Sequence, residues 1–420
     1  LADAYMPDNS SIKNRTFNFD NQLWEYPDWK NYEVKYRPDI WWNNLDGLKL
    51  GLNLNGGYMK HHHLFDITFW VNSKILQQEG IRESKNDNYS YRLDYNTNLD
   101  NISLDSRLRI KAQFIAGLYT NKISLQKSDN KKINKITIDL LSLYRTNQNY
   151  INNTNLIWNS ERLRNTQINN RIDIDIEHKY KNKYGNGKLN LGIKSSALGS
   201  TYDYNILSLS AKNNNKIHKL KINTRGFLQI GSGNKWAVES KLFLAGANGE
   251  EMMESKFTRS DGFIPSEYLS YDYTTNHFHL GGGLNLRGYS GYLAPGFNDN
   301  GTIRSFDYVG TSGAAFNTEI DFTAYLPYSI KKNNITCYLF ADAGVISSEN
   351  LTKENYKESF SEVRADAGIG FTYKLDNFGP LETTRPLVFR FDMPLFLNKA
   401  PASDKDFVQM RWIIGIDRAF

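Results

Sequence analysis

The residues best suited to chemistry in this chain lie between 281 and 292. The run Gly281-Gly282-Gly283-Leu284-Asn285-Leu286-Arg287-Gly288-Tyr289 sets one cation inside an apolar, glycine-rich stretch. A guanidinium placed there is poorly hydrated, and a bidentate carboxylate is the contact that best stabilises it. Carboxylates follow downstream at Glu319, Asp321, Asp342, Asp366 and Asp392. The chemistry this favours is an electrostatic fastening of a loop, not bond making. Gly288 would let the backbone turn sharply there, and Tyr289 would stack on a wall. Catalytic patterns fail on spacing: there is no H-E-x-x-H, G-x-S-x-G or Walker loop, and Gly288-Tyr289-Ser290-Gly291-Tyr292 lacks the final glycine of a serine-hydrolase elbow. His61-His62-His63 cannot converge as ligands, because consecutive residues of an extended chain point to opposite faces and no acidic or Cys partner lies at ligand spacing. A solvated hairpin turn is expected there. Cys337 is the single cysteine, which rules out an intrachain disulfide and a thiolate metal site. No catalytic residue, metal or cofactor is expected in this chain.

A loop of that kind needs walls, and the rest of the sequence reads as strands. From Gly47 apolar and polar residues alternate: Leu48, Leu50, Leu52 and Leu54 against Lys49, Gly51, Asn53 and Asn55, then Phe65, Ile67, Phe69 and Val71 against Asp66, Thr68, Trp70 and Asn72. The pattern recurs at Ile136/Ile138/Leu140, Ile172/Ile174/Ile176, Leu189/Leu191/Ile193, Leu220/Ile222 and Trp236/Val238/Leu242/Leu244. Gly185-Asn186-Gly187 and Gly231-Ser232-Gly233-Asn234 punctuate it as turns. Near the end, Phe316, Ile320 and Phe322 alternate with Asn317, Glu319 and Asp321, and Leu387, Phe389, Phe391 and Met393 with Arg390 and Asp392. The last strand sets Val408, Met410, Trp412, Ile414 and Ile416 against Gln409, Arg411 and Asp417.

That polar face is too charged to be the buried side of a soluble sandwich, where isolated charges are very costly. Turned inside out, with apolar side chains toward lipid and charges toward water, it becomes a transmembrane β-barrel. A mean hydropathy of -0.58 does not argue against this, because the two faces cancel in any averaging window. The 26 Tyr, 23 Phe and 8 Trp suit interfacial girdles. A formal charge of +6, with basic residues scattered among acids, excludes a nucleic-acid partner. The runs number roughly fifteen, with 105–128 and 150–165 ambiguous, and single-chain bacterial barrels favour even numbers. The expectation is an all-β chain: a periplasmic N-terminal segment or linker over 1–46, then a sixteen-stranded antiparallel transmembrane barrel over 47–420, with 248–310 folded into the lumen between strands 11 and 12. The glycines at 47, 51, 56 and 57 would weaken the first strand and so the seam between first and last strands.

The tip Leu286-Arg287-Gly288-Tyr289 resembles the inward-folded sixth extracellular loop of the BamA, TamA and two-partner-secretion transporter superfamily of outer-membrane barrels. Phe340-Ala341-Asp342-Ala343-Gly344 is similar to that superfamily's Phe-x-Asp-x-Gly strand, Ala367-Gly368-Ile369-Gly370 followed by Gly379-Pro380 to its late hairpin, and Phe391-Asp392-Met393-Pro394-Leu395 to its next strand. The likeness covers about residues 235–420. It implies a Gram-negative outer-membrane protein that assembles or transports proteins, with Arg287 held by Asp342, and Glu319, Asp366 and Asp392 as lumen counter-charges. Gly415 and Phe420 resemble a C-terminal signal for barrel assembly, although Arg418 stands where an apolar residue is usual. The implied partners are outer-membrane lipids and lipopolysaccharide, client polypeptides, and periplasmic domains or lipoproteins. Two alternatives stay open. Tyr32 to Asn43 looks similar to the junction joining a gluzincin-type zinc aminopeptidase to such a barrel, which would place any catalytic domain upstream of this chain. A passive porin-like channel would also use inward charges and a long loop.

Overall fold

Alternation becomes strand pairing along nearly the whole chain. The computed structural model describes residues 14–21, 30–43, 46–59, 62–77, 87–100, 102–146, 168–197, 199–254, 258, 277–292, 294–297, 300, 303–328, 333–350, 359–375, 387–400 and 406–420. The strands are β1 (Asn14–Phe19), β2 (Asn31–Asn43), β3 (Gly47–Tyr58), β4 (His62–Asn72), β5 (Tyr89–Asn98), β6 (Ser106–Ile115), β7 (Leu118–Ser128), β8 (Asn134–Arg145), β9 (Ile168–Asn182), β10 (Gly185–Ser196), β11 (Asp203–Ile217), β12 (Leu220–Lys235), β13 (Leu242–Phe243), β14 (Pro295–Phe297), β15 (Ile303–Phe306), β16 (Val309–Gly310), β17 (Gly313–Asp321), β18 (Ile335–Asn350), β19 (Ser359–Phe360), β20 (Arg364–Leu375), β21 (Leu387–Leu397) and β22 (Ile413–Ile416). A short helix, α1 (Gly249–Glu254), lies between β13 and β14.

One large, mostly antiparallel sheet results. β2 to β12 pair in chain order, β12 pairs with β17, and β17, β18, β20, β21 and β22 continue the ladder, every pair antiparallel. The ambiguous stretch 105–128 is the hairpin β6–β7, closed by Ala116 (φ 51°) and Gly117 (φ 68°), the left-handed pair that a tight two-residue turn needs. The other ambiguous stretch, 150–165, and the Gly379-Pro380 turn lie outside the described residues.

Polarity across the sheet is inverted relative to a soluble protein. Ile138, Ile174, Ile193, Leu207 and Ile230 pair side by side across five strands on one face. Of these, Ile138, Ile193, Leu207 and Ile230 are 41–53% exposed. On the other face Lys49, Lys111, Asp139, Arg171, Asp173, Arg225, Glu319, Asp342, Asp366, Arg390 and Asp392 are all buried. Only an apolar solvent outside makes that arrangement stable.

Two expectations need correction. The antiparallel ladder begins at Asn31 and not at Gly47, with β1 laid parallel beside its first strand, so residues 31–43 are strand and not linker. Pro38 hid this strand by interrupting the run, yet proline is accepted at a sheet edge, and β1 stops opposite Tyr36, which leaves Pro38 on such an edge. The glycine-rich β3 is therefore an inner strand of the ladder. The second correction concerns Trp236 to Leu244, which is no strand of the ladder. Val238–Ser240 is a 3-10 turn, and Leu242–Phe243 makes only a two-residue pairing with Val309–Gly310. The insertion between β12 and β17 thus starts near residue 236, earlier than the expected 248.

The sheet's two ends are capped, not joined: among the described residues no backbone pair connects β2 to β22. β1 lies parallel against β2 from Asn31 to Tyr36. On β22, the Ile414 amide donates to the His277 carbonyl at 2.8 Å and the His279 amide donates to the Ile414 carbonyl at 2.9 Å.

Candidate functional site

The insertion packs on the charged face and builds its own core there. Leu242, Leu244, Leu284, Leu286, Tyr289, Tyr292 and Ala294 bury against Ala315 of β17, Ile346 of β18 and Leu397 of β21. Asn285 takes a left-handed conformation (φ 63°) just before the tip, and Arg287–Tyr289 forms a 3-10 turn.

That turn carries Arg287 into a nest of carboxylates. Its Nε donates to Asp342 Oδ2 at 2.8 Å and its Nη2 to Asp342 Oδ1 at 3.2 Å, the bidentate form that a planar guanidinium suits. Nη1 donates to Glu319 Oε1 at 3.0 Å and lies 3.7 Å from Asp392 Oδ2. The Gly288 amide donates to Asp366 Oδ2 at 3.1 Å. Below the guanidinium the Phe340 ring lies 4.2 Å away and the Phe420 ring 5.9 Å away. The Arg287 side chain is fully buried, as are its partners.

Register explains why the cation is needed. Asp342 stands directly opposite Asp366 across the β18–β20 ladder and opposite Asn317 across β17–β18. Like charges facing each other across a ladder repel. Arg287 and the Gly288 amide each take one of the two carboxylates. Asn317 completes the packing, donating from Nδ2 to Asp342 Oδ1 at 3.1 Å and accepting from Arg225 Nη1 at 2.9 Å.

Gly288 contributes through close approach, not through a sharp turn. A Cβ there would sit 2.6 Å from Leu397 Cδ2 and 2.7 Å from Asp366 Cβ. Tyr289 does lie against the wall, its hydroxyl donating to Asn398 Oδ1 at 2.9 Å. Asp321, the fifth expected carboxylate, is not in the nest; its Oδ1 accepts from the Thr323 amide at 2.9 Å. Gly415 packs under Arg390 and the His279 carbonyl. Phe420 turns toward Arg287, and Arg418 Nη1 approaches Glu319 Oε2 at 3.6 Å. The terminal residues therefore add to the nest. His62 and His63 open β4, and the His63 ring nitrogen contacts the Tyr95 hydroxyl at 2.6 Å; His61 lies outside the described residues.

Several members of the site were not anticipated. Arg390 Nη1 donates to Asp392 Oδ2 at 2.6 Å while its Nη2 meets His279 Nδ1 at 2.6 Å, so that ring nitrogen must accept. Burial, then the Arg390 and Arg287 cations, hold the His279 ring well below its ordinary range, and it is neutral. Tyr338 donates its hydroxyl to Asp392. Inward parity of Arg390 and Tyr338 was the available signal for both.

No protein-family model matches the chain, and no curated protein sequence matches it. Among solved structures it is similar to BamA from Haemophilus ducreyi lacking POTRA domains 1–3, at 12% identity and TM-score 0.47, covering 96% of this chain and 84% of that one. It is similar to CdiB from Escherichia coli at 14% identity and TM-score 0.38, covering 87% of this chain and 52% of that one. It is also similar to OpdK from Pseudomonas aeruginosa, crystallised with vanillate, at 8% identity and TM-score 0.38, covering 86% and 90%. These are bacterial outer-membrane β-barrel proteins. Apolar side chains on the outer face and charges on the inner one give this sheet the polarity of a membrane-spanning β-structure. The Tyr32 to Asn43 stretch that looked like an enzyme junction is β2 of the sheet.

Proposed function

We propose that the chain closes into a sixteen-stranded outer-membrane barrel of the BamA-like kind, which inserts proteins into the membrane or translocates them across it. The ladder supports the architecture: β2 to β12 with β17, β18, β20, β21 and β22 make sixteen consecutive antiparallel strands. In this barrel the insertion lies in the lumen between the eleventh and twelfth strands. The observation that carries the function is the buried nest around Arg287, supplied by β17, β18, β20 and β21. A passive pore would also use inward charges and a long loop, but it has no need to pin the loop's tip with a buried cation shared by several strands. The capped ends add a second support. β22 is four residues long and β2 carries Pro38, so their seam is weak and can be opened to an extended polypeptide. The chain itself performs no covalent chemistry in this reading. Its partners are membrane lipids, lipopolysaccharide and unfolded client polypeptides, with periplasmic domains or lipoproteins as accessories.

Planar-bilayer conductance tests the lock, and folding of a client barrel polypeptide in vesicles tests the function. A small, flickering conductance that grows or destabilises in Arg287→Ala, together with client folding faster than in empty vesicles, is expected. A large, steady conductance that is the same in both proteins, with no acceleration of folding, would leave a pore.

A further inference from the structure

The insertion meets the charged face a second time, far along the ladder from the Arg287 nest. α1 has six residues, too few to be stable alone, so its wall contacts decide where it sits. It starts with a reciprocal cap: Asn248 Oδ1 accepts from the Glu251 amide at 3.0 Å, and Glu251 Oε2 accepts from the Asn248 amide at 2.9 Å. Glu250 then receives both terminal nitrogens of Arg171 on β9, and Ser240 also donates to it. Arg171 is held ready by Asp173, to which its Nε donates at 2.7 Å and its Nη2 at 2.9 Å. One turn on, Glu254 accepts from Lys111 Nζ of β6 at 2.7 Å. Between the two, Met253 packs on Leu118, Leu141 and Leu143 of β7 and β8. α1 therefore presents charge, apolar surface and charge to walls that supply the complement of each.

Counted from β2, the strands β6 to β9 are the fifth to eighth, and β17 to β21 hold the twelfth to fifteenth places. In a ring of sixteen these are opposite walls. The two ion-pair clusters share no hydrogen-bonding side chain among the described residues, although α1 also meets the tip segment, with Glu251 against Gly282 and Met252 lining one cavity with Tyr289 and Tyr292. Clusters without shared side chains couple weakly. We infer that Arg171 and Glu250, with Lys111 and Glu254, are positioning residues that fasten α1 across the lumen separately from the Arg287 tip. The plug is then a strut with two ends that can be released one at a time. This rests on the reading that the insertion lies in a closed lumen.

The test uses the whole chain in lipid vesicles, with Cys337→Ala removing the native thiol and Met253→Cys placing a reporter on α1. The rate of labelling by a membrane-impermeant maleimide is measured without any client polypeptide, so failure of client folding does not bear on it. Labelling is expected to be slow in this parent and equally slow after Arg287→Ala. It should become at least about tenfold faster after Glu250→Gln with Glu254→Gln, since losing one partner of a buried pair strands the other. Should the double variant fail to insert, Lys111→Gln on the strand wall gives the same readout, with a rise of at least about threefold. Equal rates in parent and clamp variants overturn the proposal. So does release of the reporter by Arg287→Ala alone, which would mean one fastening and not two.

Discussion

Replacing Arg287 by alanine removes the cation shared by Glu319, Asp342 and Asp392. What remains among the described residues is Arg390, 2.6 Å from Asp392, and Arg418, 3.6 Å from Glu319; Asp342 is left facing Asp366 with no described cation in contact. Removing one member of a buried pair costs about 3–5 kcal/mol, mostly from the charge left behind. These side chains are 0–2% exposed, so solvent screening takes little off that figure. The local observable is hydrogen exchange of the tip amides. Gly288 donates to Asp366, Tyr289 to the Leu286 carbonyl at 3.1 Å and Ser290 to the Arg287 carbonyl at 3.2 Å, so all exchange only when the tip lifts. Exchange over 286–290 should accelerate by roughly 10²- to 5 × 10³-fold in Arg287→Ala. Asp342→Asn should cost less, about 1.5–3 kcal/mol, because Glu319 and Asp392 still hold the guanidinium. In the double variant the surplus charge is smaller, so its cost should fall short of the sum by roughly 0.5–3 kcal/mol. Exchange unchanged within about threefold in Arg287→Ala, or a double variant costing the full sum, would refute the charge-compensation argument.

Gly288→Ala should loosen the same amides without changing any charge, at about 1–3 kcal/mol, because its Cβ collides with Leu397 and Asp366; tip exchange within a factor of two of the parent would show that the contact yields. Phe340→Leu removes the ring 4.2 Å from the Arg287 guanidinium and should cost about 0.5–2 kcal/mol by the same measurement, whereas Phe340→Tyr should cost little. On the opposite face, Ile193→Arg puts a cation into the lipid belt and should destabilise unfolding from vesicles in urea by about 2–4 kcal/mol. Its inward neighbour, in Lys194→Gln, should change stability by less than roughly 1 kcal/mol.

Much of the nest was legible because parity is binary. Once the apolar face of each late strand was fixed, Glu319, Asp342, Asp366 and Asp392 could point only to the face that a buried arginine would seek. Parity does not give height along a strand, and Asp321 shows the consequence. It has the same parity as Glu319 but lies at the strand's end, where it accepts from the Thr323 amide. Trp236 to Leu244 shows the converse weakness, since apolar residues at spacing two also arise when a loop buries every second residue in its own core, as Leu242 and Leu244 do. The clamp on α1 left no trace in periodicity. Glu250 sits in a stretch without alternation, and its partner Arg171 lies 79 residues away. Such long-range pairs depend on how the insertion crosses the sheet, which no local pattern encodes.

In the barrel proposed above, with the insertion as its plug, the placement of these charges also decides whether that plug can move. A buried ion pair in a protein core is costly to break because the stranded charge finds no water. Here the carboxylates of Glu319, Asp342 and Asp392 line the face from which the insertion would lift, and water follows the departing loop into the space it leaves. The charges exchange an arginine for hydration, so the net cost of opening is a small difference between two large terms and lies well under the Coulomb energy of the closed state. An apolar plug would lack this symmetry, because lifting it would expose only hydrocarbon to the entering water. The apolar core of Leu284, Leu286, Tyr289 and Tyr292 supplies that resistance and sets the closed position, while the nest fixes register at little cost to reversibility. Stability of the closed state therefore rests on the apolar residues and its specificity on Arg287. Leu284→Ala should then raise the opening frequency more steadily across salt concentrations than Arg287→Ala, whose effect should shrink as salt screens the exposed carboxylates of the open state. Bilayer recordings of both variants at low and high salt would separate the two contributions, and a parallel salt response in the two would contradict this division of labour.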